Sequence, residues 1–405
     1  MKKYIAVGVI SIVLVLFFLI KPFIAIGVQN INISSNQWKE DIVFLRDTLP
    51  QKHPNIYSYM PEEKYSNDFN DLISDIDDLE PYQILGGIQT ILAKINDPHT
   101  YIDYTVYESL PLEVYCFDEG LYIIGADSEY REIIGAKILS IGTDDIDTIA
   151  QKISSLSPDL NESCRKYYIA KNLINPYVLK YFNNMKGRTV QFKFQAADGE
   201  IFSKTIFLKS KTDIDLVYAS DLIRERPFYL RKDDRHWYTL LDDHTLYYQD
   251  NAMIPNAVGR EVIDAVKEND IDKLVIDLRK NPGGMYINQK KFIKTIGKLQ
   301  SERKFRIYIL MGRVTFSSSV SYIHDFVTST DCILAGEPPR TRYNHYGDQR
   351  TFRLPHSKIT IKYSTTFFNI ADHDSDEIIP DITISSRFMD YAGGVDAVLD
   401  AISAE

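Results

Sequence analysis

Cysteine is scarce. Cys116, Cys164 and Cys332 are the only three in 405 residues. None falls in a CxxC or Cys/His spacing, so no zinc site is readable, and an odd count leaves at least one thiol unpaired. A single Cys116–Cys164 disulfide is left open. Positive charge is also short, with 46 Lys and Arg against 56 Asp and Glu, a net charge of −10 and a pI near 5.4. Nucleic acid needs a basic face for its phosphates, so it is excluded as a partner. Internal repeats and low-complexity tracts are absent, and no cofactor or metal is expected.

What is present is an ordinary globular composition, 44% apolar and 25% charged, in a chain long enough for two or three domains. The N-terminus differs in kind. Lys2 and Lys3 precede seventeen uncharged residues, Tyr4 to Ile20, and after Lys21-Pro22 an apolar stretch runs from Phe23 to Val28. That length is at the lower edge of a membrane-spanning helix, and the two lysines favour a cytoplasmic N-terminus. The expectation is a transmembrane anchor over 1–28, hence membrane contact and a single-pass protein with an extracytoplasmic catalytic domain. The alternative is a signal peptide cleaved near Ala25-Ile26-Gly27, giving a secreted protein.

From Trp38 to Ile95 apolar residues recur at spacings of three and four, which predicts helices. The last of these starts at Glu80-Pro81, carries Ile84, Leu85, Ile88, Ile91, Leu92 and Ile95 on one face, and must stop near Asp97 because Pro98 follows. Residues 110–210 are expected to form short strands, with one helix over Ile146 to Leu156. Gly120-Leu-Tyr and Gly135-Ala-Lys-Ile-Leu-Ser-Ile-Gly resemble the strand and turn of a PDZ-like module, although a plain β-rich insert fits as well. From Thr239 strands and helices alternate in the βαβ rhythm of a parallel sheet. Domains are therefore placed at 35–107 (helical), 110–212 (β-rich) and 215–403 (α/β).

Three stretches carry chemistry. Thr315-Phe316-Ser317-Ser318-Ser319 follows the β-like run Phe305 to Met311. It puts a serine at a strand-to-helix turn, where first-turn amides are unpaired and the dipole is positive. Ser317 could be a nucleophile with the Ser318 amide as an oxyanion donor, or only an N-cap; Ser318 and Ser319 qualify equally on local grounds. Leu274 to Leu278 runs into Asn281-Pro282-Gly283-Gly284, and Gly283 and Gly284 suit a second oxyanion donor or a tight turn. Asp97-Pro98-His99-Thr100 fixes a histidine on a turn, which suits a general base or a structural role.

In this order the stretches resemble the S41 serine peptidases, among them the tail-specific C-terminal processing proteases, the tricorn core protease and the retinoid-binding-protein repeats. Val275 to Gly284 looks like that family's D-L-R-x-N-x-G-G signature, Thr315-Phe-Ser-Ser like its nucleophile motif, Gly336-Glu337-Pro338 like its G-E-P, and Asp97-Pro-His-Thr like the tricorn-like D-x-H-T. The resemblance implies a crotonase/ClpP-like protease core, a peptide or protein substrate, and Ser317 as nucleophile. Arg342 stands at the tail-specific lysine position and stays protonated, so it cannot serve as a base. Val320 replaces a usual glutamate. A tricorn-like Ser317/His99 mechanism is then implied, completed by an acid in the cluster Asp372, Asp374, Asp376 and Glu377, with Asp374 the first choice by spacing. The alternatives are an inactive peptide- or ligand-binding protein on the same scaffold, and an esterase using the same serine.

Overall fold

The computed structural model describes residues 31–404, apart from 256, 288 and 373–376. Its centre is a six-stranded sheet in the order His236–Leu240, Thr245–Asp250, Lys273–Asp277, Arg306–Met311, Cys332–Gly336, Ile382–Thr383. The first pair is antiparallel and every later pair parallel. The central strands have almost no polar residues because both faces are covered. Leu246, Leu274, Ile276, Ile307 and Ile309 face the helices Val258–Glu268, Gln289–Arg303 and Ser318–Ser329. The alternate residues Tyr247, Val275, Tyr308 and Leu310 pack with Leu399 and Ile402 of the helix Ala397–Ser403. Each of the three larger helices connects two neighbouring parallel strands, the crossover that such a pairing requires.

The β-rich insert is a seven-stranded antiparallel sheet, with Gly120–Asp127, Lys137–Ile141, Thr189–Gln195 and Ile201–Phe207 in adjacent order. Beyond the expected helix Ile146–Ser154 it holds two more, Glu162–Asn172 and Pro176–Tyr181. Their start signals are ordinary ones. The Asn161 side chain accepts from the Cys164 amide at 2.8 Å, and Pro176 occupies the first turn after Asn175.

The N-terminal helices Ser35–Thr48, Glu62–Asp75 and Pro81–Ala93 do not close their own core. Leu354, Ile359, Ile361 and Tyr363, from the hairpin His345–Arg353 and Thr360–Phe368, complete it. The strand Tyr101–Asp103 adds to that hairpin, with Ile102 opposite Ile361. Residues more than 250 positions apart are thereby locked in register, and the turn carrying His99 lies directly before this strand.

One expectation needs correction, and one open question is answered. Among the described residues no helix is long and apolar enough to cross a membrane, which conflicts with a single-pass protein; residues 1–28, on which that expectation rested, lie outside the described residues. All three cysteines are free, so the Cys116–Cys164 bridge is not formed.

Gly86 in the helix Pro81–Ala93 packs face to face with the Tyr181 ring of the insert, leaving no room for a Cβ. Alanine would add ~1 kcal/mol of helix propensity, but overpacking costs ~1–3 kcal/mol. Gly86→Ala should therefore lower the denaturant midpoint, and an unchanged or raised midpoint would mean that this contact is loose.

Candidate active site

The strand Arg306–Met311 delivers the chain to Gly312, and the turn to the following helix is tied down by one side chain. Thr315 Oγ1 donates to the Leu278 carbonyl (2.8 Å) and accepts from the Gly312 amide (3.0 Å). Ser317 then sits at φ 54°, ψ −129°, a conformation a non-glycine residue adopts only under constraint. Its side chain makes no capping bond to the helix, so it is not an ordinary N-cap. Instead Ser317 Oγ lies 3.1 Å from His99 Nε2.

The two neighbouring serines do other work. Buried Ser319 donates to Asn281 Oδ1 at 2.8 Å, and Ser318 Oγ donates to the Gly284 carbonyl at 2.9 Å. Asn281 is the hub of this turn. Its Nδ2 donates to the Asp250 carbonyl (2.8 Å), while its Oδ1 also accepts the Gly283 amide (3.0 Å). The expected oxyanion role of Gly283 is affected, because that amide is already engaged. The amides of Gly284 and Ser318 have no acceptor among the described residues. What Gly283 supplies is space: with φ +93°, its Cβ would fall 2.7 Å from the Phe316 oxygen and 2.9 Å from Ser317 Cβ.

His99 is held from several sides. Its amide donates to Asp97 Oδ1 (2.9 Å), its carbonyl accepts from Gln349 Nε2 (2.7 Å), and its ring stacks on Phe316 at 4.5 Å. Asp97 is fully buried. Its Oδ2 accepts from His53 Nε2 (3.2 Å), Thr100 Oγ1 (2.6 Å) and Ser364 Oγ (2.6 Å). Because the Asn55 amide donates to His53 Nδ1 (3.3 Å), neutral His53 carries its proton on Nε2 and donates it to Asp97. Burial alone would raise the Asp97 pKa, but hydrogen bonds from His53, His99 and Ser364 outweigh it and hold the carboxylate well below the usual range. Among the described residues Asp97 Oδ1 is the carboxylate oxygen near His99 Nδ1, at 3.6 Å, and Nδ1 has no hydrogen-bond partner. Asp374, the acid expected from spacing, lies outside the described residues.

The structure thus brings together the serine and the imidazole that the sequence singles out, held by groups that the sequence does not. His53, Ser364 and Gln349 carry no motif that distinguishes them, and Asn281 stands in the motif-like stretch before the glycines without its hub role being readable there. Arg342 reaches away from Ser317, donating from Nη1 to the Tyr59 hydroxyl (2.8 Å). Val320 is fully buried in the core of the central domain.

Ser317 and His99 open on a cavity of about 480 Å³ between the N-terminal helices, the insert helices and the central domain. Seven tyrosines contribute to its walls, so it is shaped for an aromatic or apolar group with polar contacts at its edges. A hydroxyl, an imidazole in reach, unengaged first-turn amides and an adjoining cavity are the groups that acyl transfer uses.

Mature CPAF complexed with lactacystin has a similar structure, with a TM-score of 0.67 and 12% identity over 91% of this chain and 97% of that one. Mature CPAF without that compound gives 0.65, again at 12% identity, over 91% and 96%. The fold is similar to that of mature CPAF. A photosystem II D1 C-terminal processing protease is also found, at a TM-score of 0.41 and 12% identity over 91% and 99%, too low an overlap to bear on the argument. No protein-family model and no curated protein matches the chain. The comparison therefore shows a shared fold alone, at 12% identity.

Two outcomes follow from the geometry. Gly283→Ala should displace Ser317 and abolish its labelling by a fluorophosphonate while the chain remains folded by circular dichroism; full labelling would mean that the turn tolerates a Cβ. The second concerns His345, whose ring lies 6.3 Å from that of His99 and whose Nδ1 donates to the Tyr343 carbonyl. Burial pushes its pKa down to about 4 from 6.5. A histidine buried neutral binds its proton on unfolding, so its stabilising contribution is full above about pH 6.5 and is lost as pH falls towards 4. The Tm should fall more steeply over that range in the wild type than in His345→Asn, and parallel slopes would overturn the assignment.

Proposed function

We propose that this chain is a serine peptidase of the S41 kind that hydrolyses peptide bonds with Ser317 and His99. The observation that carries the proposal is the 3.1 Å approach of Ser317 Oγ to His99 Nε2 across 218 residues of sequence, at a strained turn beside a cavity. Ser317 Oγ attacks the substrate carbonyl while His99 Nε2 takes the hydroxyl proton and returns it to the leaving amine. The Ser318 and Gly284 amides are the donors for the oxyanion. Water then attacks the acyl-enzyme by the same route in reverse. Buried Asp97, held ionised, favours the imidazolium that forms; Asp374 is the alternative acid. In this reading the six-stranded domain is the crotonase/ClpP-like core and the insert a PDZ-like module.

A second reading, a catalytically inactive peptide- or ligand-binding protein, is favoured by one observation: His99 Nδ1 lacks the hydrogen bond that would fix its tautomer. Labelling separates the two. Fluorophosphonate should label the wild type at one site, and both Ser317→Ala and His99→Ala should lose labelling and at least roughly a thousandfold of any peptide hydrolysis. A folded wild-type chain that takes no label leaves the binding reading standing.

A further inference from the structure

Two arginines elsewhere in this molecule are paired with acids. Arg279 pairs with Asp277 (2.6 Å) and Asp396 (2.7 Å), and Arg313 with Glu337 (2.6 Å). Arg340 differs. It is 5% exposed and lines the catalytic cavity, yet no carboxylate pairs with it among the described residues. The ionisable groups that face it are Tyr167, Tyr168 and Cys164. Its Nη1 donates to the Arg313 and Val314 carbonyls (2.9 and 2.7 Å), while its Nε is buried without a partner. The guanidinium is sandwiched between the Tyr167 and Phe316 rings at 4.1 and 4.3 Å, and Phe316 is the residue immediately before the nucleophile.

An unpaired buried charge is costly, and aromatic stacking offsets only part of that cost. The rest of the cavity wall does not supply the missing anion. Among the described residues its one lining carboxylate, Asp103, is held by Lys362 at 3.1 Å, and its second cation, exposed Lys171, lies along the Tyr167 ring. In a chain of net charge −10 the catalytic cavity is thus locally positive. Stacking fixes the guanidinium plane and leaves hydrogen-bonding edges for a planar anion.

We propose that the cavity beside Ser317 recognises a carboxylate on the bound peptide through the Arg340 guanidinium, with Lys171 drawing that charge in from the cavity wall. This rests on the peptidase reading for the ligand being a peptide. The carboxylate is either the peptide's C-terminus or an Asp or Glu side chain near the scissile bond.

The test uses the full chain with Ser317→Ala, which binds without turnover, and calorimetry with three probes: acetyl-Ala-Tyr-Ala as free acid, its C-terminal amide, and acetyl-Ala-Tyr-Glu-amide. At least one acidic probe should bind about tenfold or more tightly than the neutral amide, and which one does so separates terminus from side chain. Adding Arg340→Gln should collapse the preference, while Lys171→Met, at an exposed site, should reduce it two- to threefold. Equal binding of acidic and neutral probes, no binding by any of them at millimolar concentration, or a preference that survives Arg340→Gln in a folded chain overturns the proposal. The acid-against-amide comparison decides even if Arg340→Gln fails to fold. Fluorophosphonate labelling requires no carboxylate, so failure of the peptidase reading is recognised separately.

Discussion

One buried carboxylate holds the candidate site together. Asp97 accepts from His53 at the end of the first helical run, from the His99 amide and Thr100 in its own turn, and from Ser364 on the C-terminal hairpin. These partners come from three parts of the chain, and a fully buried charge requires each of its lone pairs to be met. The requirement works in both directions. The donors keep Asp97 ionised, and the ionised carboxylate fixes the turn that aims His99 at Ser317. If the hairpin shifted by one residue, Ser364 would leave the carboxylate and Ile361 would leave the core it shares with Leu92 and Ile102. Register, core and catalytic geometry therefore stand or fall together.

The same logic explains why the element that bears His99 is not part of the domain that bears Ser317. The central sheet supplies the serine, a glycine turn and a helix terminus, all at the ends of parallel strands where such loops gather. Among the described residues it brings no histidine of its own within hydrogen-bond reach of that serine. The N-terminal helices supply one, but they cannot close a core unaided and borrow Leu354, Ile359, Ile361 and Tyr363 from the far end of the chain. Folding the N-terminal segment and assembling the Ser317–His99 pair are thus one event. A cavity bounded by all three regions is its by-product, and Gly86 against Tyr181 sets how closely the insert can approach.

Local signals made much of this legible. The βαβ alternation, the helix Pro81–Ala93 that stops short of Pro98 and the strand feeding Gly283-Gly284 are short-range patterns, and each emerges within a few residues of its expected bounds. Periodicity cannot reveal which distant groups meet. His53, Ser364 and Gln349 belong to the site only through contacts of 44 to 267 residues in sequence separation. The helices Glu162–Asn172 and Pro176–Tyr181 were missed for another reason. Their caps were visible, but tyrosine-rich sequence with mixed periodicity reads as strand. Arg340 illustrates the limit most clearly: a sequence shows that an arginine is present, and only a structure shows that it is buried without an acid.

Ser317 also indicates where the molecule concentrates its strain and how it sustains it. A serine at φ 54°, ψ −129° costs ~1–3 kcal/mol, and nothing in Ser317's own side chain offsets this, since its hydroxyl turns to His99. The compensation is placed around it. Thr315 to Leu278, Ser318 to Gly284 and Ser319 to Asn281 are three side-chain bonds within five residues, each worth ~1 kcal/mol net. Together they match the strain. Their acceptors all belong to the segment from Leu278 to Gly284, so the Ser317 turn and the glycine turn form one unit rather than two adjoining loops. That unit leaves the Ser317 hydroxyl and the Ser318 and Gly284 amides unspent. A turn selected only for stability would have used them, as Asn281 uses the amide of Gly283.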